Sequence, residues 1–413
     1  MANITENLQT LKDSGSEIKS AIEDMGGIIE GNITTWARAI RNLPTGGSGS
    51  GKGDVNFYDY DGTILHSYSK DAFLALTTLP DLPTQPGLTC QGWNYDITKA
   101  KTYVTEYGKL DIGATYITDD GKTRLYIKIA AEGRMTVPLY FNQSVANGVT
   151  IDWGDDSATQ TLSETGNLNI SHTYNNIGDY CITLKVTSGT LSLGHNNSYP
   201  VLGSDDNNAI VYCNMLQRVE IGTGVTSIGS YVFKPCYSLS SVVIPSSVTS
   251  IGYAAFNRCY SLSSVVIPSS VTSINGQVFQ YCYSLSSIVI PSGVKSIDGN
   301  TLQYCYSLSS VVIPSSVTSI GGNMFSNCYS LSSIVIPSGV TSIGSYAFQN
   351  CYGMAFYDFS THTAVSTLSN TNAFTGIPSD CKIIVPDSLY DAWKAATNWS
   401  TYASKIIKKF EIL

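Results

Sequence analysis

Charged side chains are scarce in this chain, and their scarcity argues against several functional classes. Asp, Glu, Lys and Arg make up 13% of the 413 residues, about half the proportion usual in soluble domains. Acidic residues outnumber basic ones by 31 to 23, so the formal net charge is −8. A protein that holds the phosphates of a nucleic acid needs a basic surface, so nucleic acid is not an expected partner.

Long apolar runs are also missing. No stretch of 18 or more apolar residues occurs, so we expect no membrane-spanning helix. The segment 1–7 is polar and acidic, without the basic start and apolar centre of a signal peptide. These features predict synthesis and assembly in a cytoplasm.

Catalytic and metal-binding motifs are absent as well. The sequence has no GxSxG, HExxH or Cys-x-x-Cys pattern, and its four histidines (66, 172, 195 and 362) are scattered. We therefore expect no enzyme, no catalytic residues, no metal site and no cofactor. The segment 45–53, TGGSGSGKG, has the spacing of a phosphate-binding loop. Because Gly53 stands where that loop needs Ser or Thr, we expect a flexible linker.

What the sequence does contain is a strict repeat. Seven cysteines, from Cys213 to Cys351, are each 23 residues apart. A fixed period of this length predicts a solenoid whose turns bury their apolar residues against one another. The unit 236–258 reads CYSLSSVVIPSSVTSIGYAAFNR, with a short strand that ends at Pro245. The cysteines share one inward register, so we expect buried free thiols, with disulfides between neighbouring turns as the alternative.

These units resemble the BspA-like leucine-rich repeats, whose pattern reads LxxIxIPxxVxxIGxxAFxxC. The resemblance covers about residues 209–383 and implies a repeat solenoid, which we place at 196–383. The segment 354–413 looks like the usual end of such arrays, and within it we place a C-terminal cap at 384–413. A strand-like IIVP at 383–386 precedes an expected helix from Asp387 to about Lys405, which carries Trp393 and Trp399. We expect this segment to cap the solenoid, because an open end would expose its core.

The segment 123–195 resembles a PKD-like domain, which is an immunoglobulin-like β-sandwich. The motifs that carry the resemblance are VTIDWGDDS at 149–157, SHTY at 171–174 and GDYCITLKV at 178–186. Trp153 is expected in the core, and Asp155 is expected to bind turn amides. A calcium site at Asp155 and Asp156 is the alternative.

A small β-rich module is expected at 54–122. Within it, FYDYDGTIL imitates the DxDGT motif of haloacid dehalogenases, in which Asp59 would be the nucleophile and Asp61 the acid/base. That fold alternates strands and helices around a parallel sheet, and the following hundred residues show no such alternation. Asp-Gly between apolar residues is also a strong hairpin signal, and we expect the hairpin.

The N-terminal segment 1–44 predicts two short amphipathic helices. It resembles the N-terminal modules of bacteriophage and prophage appendage proteins, in which TTWAxAI-like segments precede a glycine linker. The resemblance implies that this segment anchors the chain to other virion proteins as a homotrimer, with the following modules as a spacer. The predicted function is that of a tail or head fibre of a phage virion, assembled in the host cytoplasm, whose repeats bind a host-surface glycan or protein. The alternatives are a BspA-like cell-surface adhesin and a purely structural decoration protein.

The predicted ligand surface comes from the one window in which the repeats differ, between the second isoleucine and the next cysteine. Tyr, Ser, Asn and Gly there are typical of adaptable recognition surfaces. The candidate ligand-binding residues are Tyr253, Arg258, Gln277, Tyr281, Asn300, Tyr304, Asn323 and Tyr346. A second set of tyrosines follows the cysteines and is expected to point outward as a ladder (237, 260, 283, 306, 329 and 352). Surface tyrosines that merely favour strand formation are the alternative.

Overall fold

The structure is a computed structural model, and it describes residues 53–194, 200–203 and 209–409. Over these residues the chain is mainly β, with few helices and about eight solenoid turns of roughly 23 residues. The predicted fold class is therefore confirmed. The predicted N-terminal helices at 1–44 and most of the linker lie outside the described residues. No helix in the described ranges is long and apolar enough to cross a bilayer.

The 54–122 module is a four-stranded sheet with two helices on one face. Strand order is β2-β1-β4-β3, and β1 runs parallel to β4. The elements are β1 (Val55–Tyr58), β2 (Ile64–Tyr68), α1 (Lys70–Ala75), β3 (Leu88–Trp93), α2 (Ile97–Tyr107) and β4 (Leu110–Thr118). Both helices are missing from the sequence prediction of a β-rich module. Helix α2 begins after Asp96, whose side chain accepts from the Lys99 amide, and ends at Gly108 in the left-handed region.

Residues 123–194 form two sheets around a shared core. One contains β5 (Thr123–Ile129), β7 (Val149–Asp152), β8 (Gln160–Thr161) and β10 (Gly178–Val186), and the other β6 (Thr136–Gln143), β9 (Gly166–Thr173) and β11 (Leu191–Leu193). Trp153 is buried, as expected, and its carbonyl oxygen accepts a 2.9 Å bond from the Tyr174 hydroxyl. Asp155 Oδ1 accepts from the Ser157 amide at 3.2 Å, and Asp156 has φ +63°, so the turn prediction is confirmed.

The solenoid continues the first of these sheets. Strand β12 (Leu216–Glu220) pairs antiparallel with β5 and parallel with β14 (Ser241–Val243). One sheet of order β14-β12-β5-β10-β7-β8 therefore runs from the sandwich into the repeats. The sequence predicts that the sandwich acts as a spacer. In the structure it covers the edge of the first turn instead, which is the role of an N-terminal cap.

Most turns contribute two short parallel strands, and helix α3 (Ala209–Cys213) and strand β13 (Ser227–Ile228) lie at the start of the array. The first column consists of β14, β16 (Ser264–Val266), β18 (Ser287–Val289) and β21 (Ser333–Val335), and we call it the strand side. The turn at 310–312 lacks a strand in the first column. The second consists of β13, β15 (Ser250–Ile251), β17 (Ser273–Ile274), β19 (Ser296–Ile297), β20 (Ser319–Ile320), β22 (Ser342–Ile343) and β24 (Thr367–Leu368). Exposed threonines precede β15, β17, β20 and β22, so we call this the threonine side. The turns 252–263 and their 23-residue equivalents close each coil and form the turn side.

The C-terminal end closes the core with aromatic rings. Strands β23 (Phe356–Asp358), β25 (Lys382–Val385) and β26 (Ile406–Lys408) extend the strand side in parallel. The helix expected from Asp387 to Lys405 is wrong in extent: α4 spans Tyr390–Ala395, and a separate 3₁₀ turn spans Trp399–Tyr402. The helix ends at Ala396, whose backbone is extended with ψ of 149°, and Asn398 follows in the left-handed region with φ of +66°. Trp393 and Trp399 are fully buried, as a cap requires.

The 54–122 module packs on the strand side instead of extending away from the solenoid. Tyr58 of β1 packs between Val266 and Val289, the outward residues of two successive strands. The Tyr103 hydroxyl donates to the Ile313 carbonyl at 2.6 Å, and the Tyr107 hydroxyl lies 3.3 Å from Ser338 Oγ, one turn further along. Four residues of helix advance about 6 Å and neighbouring strands lie about 4.8 Å apart, so each tyrosine meets its own repeat.

All ten cysteines are free, which confirms the thiol prediction. Cys282 shows why cysteine suits the repeated position: it is fully buried, and its Sγ donates to the carbonyl of Phe256 in the preceding turn at 3.3 Å. The same bond recurs at Cys259 and Cys305. Burial raises the pKa of the Cys282 thiol well above its usual value, so the group stays protonated and can donate.

A buried histidine near the C-terminal cap gives stability a pH dependence. The ring nitrogens of His362 lie 3.1 Å from the Phe359 carbonyl oxygen and 3.2 Å from that of Val340. Burial lowers the pKa of His362 below its usual 6.5, and the two carbonyl contacts only partly oppose this. Since the unfolded chain then binds the proton more readily, stability is present above pH 6.5 and is lost as the pH falls below it.

We expect the melting temperature to fall as the pH is lowered from 7.5 to 5, and His362→Gln to reduce that fall by about 2 °C. Glutamine is neutral at every pH and can still donate to one carbonyl. Melting curves at half-unit pH intervals test this. Parallel pH profiles for the variant and the original chain would contradict the assignment.

Candidate ligand-binding surface

The three sides of the solenoid differ in what they leave accessible. On the strand side, all three residues of β14, β16 and β18 are buried, because the 54–122 module covers their outward side chains. The threonine side presents short polar side chains. The turn side carries the tyrosines and all eight candidate residues, and it is the aromatic surface that the module does not cover.

Backbone geometry sorts the candidates into columns. Gln277, Asn300, Asn323 and Tyr346 have φ between +55° and +61° and lie 23 residues apart. Arg258, Tyr281 and Tyr304 form a second column with φ of +63° to +64°, continued by Asn327 and Asn350. Tyr253 immediately precedes the first column. The left-handed region costs a non-glycine residue about 1 kcal/mol or more, and asparagine least. The turns require a left-handed backbone at these positions, which favours asparagine or glycine. This preference does not explain why tyrosine and arginine occur there.

The predicted tyrosine ladder is present, and its rings stack. Tyr260, Tyr283 and Tyr306 lie 4.6 and 4.7 Å apart, centroid to centroid, with planes within 16° of parallel. The expectation that the whole ladder points outward is wrong at its start: Tyr237 and Tyr260 are only 6% and 7% exposed. Burial raises the pKa of Tyr260 and Tyr283, so these phenols stay protonated and can donate hydrogen bonds.

A second, shorter stack lies beside the ladder. Tyr281 and Tyr304 stack at 4.6 Å with planes 6° apart. Each meets the ladder edge-on, at 6.1 Å from Tyr283 and from Tyr306 respectively. The guanidinium carbon of Arg258 lies 5.4 Å from the Tyr281 ring centroid. Since stacking covers ring faces, a ligand here would meet ring edges, hydroxyls and neighbouring amides.

The turn side is nearly uncharged. Between residues 236 and 350, the sequence contains only Arg258, Lys295 and Asp298 as charged residues. Tyr253 and Tyr346 are the most exposed aromatic candidates, at 38% and 37%. A surface of phenols, amides and apolar rings can bind by contact area and hydrogen bonds, with little electrostatic steering.

The other motifs of the sequence have structural roles here. The segment DYDGT is a hairpin turn, in which the Asp59 amide donates to the Thr63 carbonyl at 2.8 Å. The Asp59 carboxylate is 2% exposed and accepts a hydrogen bond from the side-chain amide of Gln85 at 2.5 Å. The Asp61 carboxylate accepts from the backbone amide of Thr63 at 2.9 Å. The hairpin prediction is therefore confirmed.

Asp155, which the alternative interpretation assigned to a calcium site, is engaged within the sandwich. Its Oδ2 lies 2.6 Å from His172 Nε2, and the His172 ring stacks on Trp153 at 4.8 Å. Burial acts to raise the pKa of Asp155, but the hydrogen bonds from Ser157 and His172 outweigh it and lower the pKa. Among the described residues, no group of three or more His, Cys, Asp or Glu side chains is placed to hold a metal ion.

Two residues next to the candidate surface were not predicted. Lys234 and Tyr231 belong to the first turn, whose sequence SYVFKP departs from the later units. Tyr231 also has a left-handed backbone, with φ +63°, and its ring lies 5.6 Å from that of Tyr253. Aligning the first turn with the later units at the 23-residue period would have placed both residues in the same variable window as the other candidates.

Comparison with known families identifies the repeats. The model of the BspA type leucine rich repeat region matches six copies, over residues 156–262, 204–331 and 296–397, which together span more than half of the chain. No curated protein matches the chain.

Several solved structures are similar to this chain. A T. pallidum leucine-rich repeat protein is 27% identical over 43% of this chain and 87% of its own, with a TM-score of 0.27. A leucine-rich repeat protein from Bacteroides ovatus is 20% identical over 52% of this chain and 61% of its own, with a TM-score of 0.31. A leucine rich cell surface protein from Faecalibacterium prausnitzii is 22% identical over 48% of this chain and 80% of its own, with a TM-score of 0.22.

Proposed function

The chain belongs to the family of BspA-type leucine-rich repeat proteins, and we propose that it is a non-catalytic adhesin that binds a surface glycan or protein through its turn side. The observation that carries the proposal is the double stack of tyrosines, with Arg258 over its end, on a side of the solenoid that its own 54–122 module leaves uncovered. Extended repeat surfaces commonly serve as binding faces.

The occupied strand side supports this choice of surface. Its outward residues Val243, Val266 and Val289 are each at most 5% exposed, because the module packs on them. A ligand could reach them only by displacing the module residues that pack on them, such as Tyr58 on Val266 and Tyr116 on Val243. The turn side needs no such rearrangement.

The test replaces a residue of one repeat by the residue that occupies the same register in another repeat. Asn327 and Asn350 occupy the register of Tyr281 and Tyr304 with the same left-handed backbone, so Tyr281→Asn with Tyr304→Asn should preserve the fold. We expect the double variant to bind cells or immobilised surface polysaccharide at least tenfold more weakly, because central tyrosines commonly contribute above 1 kcal/mol each.

Lys295→Thr is the matched control. Threonine fills that register at positions 249, 272, 318 and 341 on the threonine side, so binding should be unchanged. The full chain is labelled and titrated against a panel of bacterial cells, with melting curves to confirm folding. Equal binding by the tyrosine variant and the control would leave a purely structural, decorative role as the better account.

A phage fibre is the second candidate, and the N-terminal sequence favours it. The TTWARAI segment at 34–40 and the glycine linker are the features that resemble virion appendage proteins. Under this proposal 1–44 forms a homotrimeric anchor to other virion proteins, and the same turn side binds the host by avidity. Light scattering tests it, since the full chain should have three times the mass of one chain. A monomeric full chain would count against the fibre while leaving the adhesin proposal intact.

A further inference from the structure

Two cations of the repeat region lie on adjacent turns at one end of the turn side. Lys234 belongs to the first turn and Arg258 to the second. The two turns stack directly, since the Phe233 amide donates to the Ala255 carbonyl at 2.9 Å. Only two other charged residues occur between 236 and 350, so this pair is a local concentration of positive charge on a neutral surface.

Aromatic rings hold both cations in place. The Lys234 ammonium lies 5.1 Å from the centroid of Tyr231, and the Arg258 guanidinium lies 5.4 Å from that of Tyr281. Tyr253 stands between these rings along the array and packs edge-on against Tyr231 at 5.6 Å. Cation–π contact orients a cation but leaves its charge uncompensated.

No carboxylate of a described residue forms an ion pair with either cation. The salt bridges of the described chain lie elsewhere, around Asp96, Asp120, Asp155 and Glu220. Burial lowers the pKa of Lys234, and the nearby positive charge of Arg258 lowers it further, so the two like charges are close enough to repel. An anion placed between them would relieve that repulsion.

The residue type at position 258 strengthens the case for a ligand. Its φ of +64° lies in the region that favours glycine and asparagine. Asparagine occupies this register in two later turns, so the fold does not require arginine here. The turn geometry therefore explains the left-handed backbone at this position but not the choice of arginine.

We propose that Lys234 and Arg258, with Tyr231, Tyr253 and Tyr281 around them, bind the anionic group of an acidic glycan, either a carboxylate or a sulfate ester. Arginine matches such oxyanions with two parallel hydrogen bonds, and lysine adds a point charge. The exposed Tyr253 ring offers an apolar surface to the sugar that carries the group. The inference rests on the proposed adhesive function and names the ligand class at one end of the same surface.

The test uses residues that the array already places in these registers. Gln280, Gln303 and Gln349 occupy the register of Lys234, so Lys234→Gln combined with Arg258→Asn should fold normally. The full chain is titrated against polygalacturonate, dextran sulfate and neutral dextran in about 50 mM and about 500 mM salt. The first two probes separate a carboxylate ligand from a sulfate ligand, and dextran measures binding without charge.

We expect at least one anionic polysaccharide to bind in low salt, to weaken in high salt because of screening, and to bind the double variant at least tenfold more weakly. Lys295→Thr, which removes a cation from the threonine side, should leave binding unchanged. Three outcomes would overturn the inference: no binding of either anion, equal binding of dextran, or unaltered binding by the double variant. Cell binding that depends on Tyr281 and Tyr304 would survive all three, so the two proposals fail separately.

Discussion

Replacing Gly113 by alanine is expected to lower the stability of the chain by about 1–3 kcal/mol, the usual cost of overpacking a filled interior. Gly113 lies in β4, where the 54–122 module meets the strand side. A Cβ atom built on it would lie 2.5 Å from Cγ1 of Val266, well inside contact distance. Neither backbone can retreat easily, because the Gly113 amide donates to Asn94 Oδ1 at 2.9 Å and Val266 belongs to a paired strand.

A second substitution turns this into a test of docking. Val266→Ala removes the methyl groups that the new Cβ would meet, so Gly113→Ala should be less damaging in the Val266→Ala background than alone. Urea midpoints of the four proteins in this cycle measure the coupling, which we expect to exceed about 1 kcal/mol. Limited proteolysis within 54–122 should increase in parallel for the single glycine variant.

Gly133→Ala is the matched control for the glycine experiment. No atom lies within 4 Å of a Cβ built there, and its φ is not positive, so stability should change by less than about 0.5 kcal/mol. Additive effects of Gly113→Ala and Val266→Ala would show that the two positions do not touch, and that the module does not dock on the strand side.

The docking of this module was not predicted, although one signal for it was in the sequence. The strands of the repeats carry apolar residues on both faces: Val242 points inward, and Val243 points outward. Strands that are apolar on both faces are usually covered on both faces. The partner itself could not be identified, since Tyr103 and Ile313 are 210 residues apart and no local rule joins them.

The repeats, by contrast, were predictable because one pattern recurs with little variation. Period, strand ends at proline and inward cysteines all follow from the spacing alone. The left-handed columns were harder to see. In the later turns, asparagine indicates the left-handed backbone, because it tolerates that conformation well. Arg258, Tyr281 and Tyr304 have the same backbone, but their residue types do not indicate it. The eight candidate residues lie in the window that varies between repeats, and their binding role stays a prediction. The structure shows which of these residues stack on one another, and it shows that Tyr231 and Lys234 lie beside them.

Replacing Trp399 by alanine is expected to cost about 3–5 kcal/mol, the usual range for a fully buried aromatic side chain. The ring packs against Phe359, Phe374 and Trp393 at centroid distances of 5.5 Å each. Its Nε1 donates to the Ser366 carbonyl at 2.7 Å. Trp399→Phe keeps much of the contact area but leaves that carbonyl unpaired, so we expect a smaller loss of about 1–3 kcal/mol.

The position of this loss should be as informative as its size. Each turn of a solenoid contacts only its neighbours, so damage to the last turn should spread from that end and weaken with distance. In Trp399→Ala, amide hydrogens of β23 and β25 should exchange faster with solvent, while those of β14 and β16 keep their rates. Lys382→Ala, on an exposed position of β25, is the control and should alter neither. Uniform acceleration along the whole array would mean that the chain unfolds as one cooperative unit, in which the C-terminal cap stabilises even the turns that carry the tyrosine stacks.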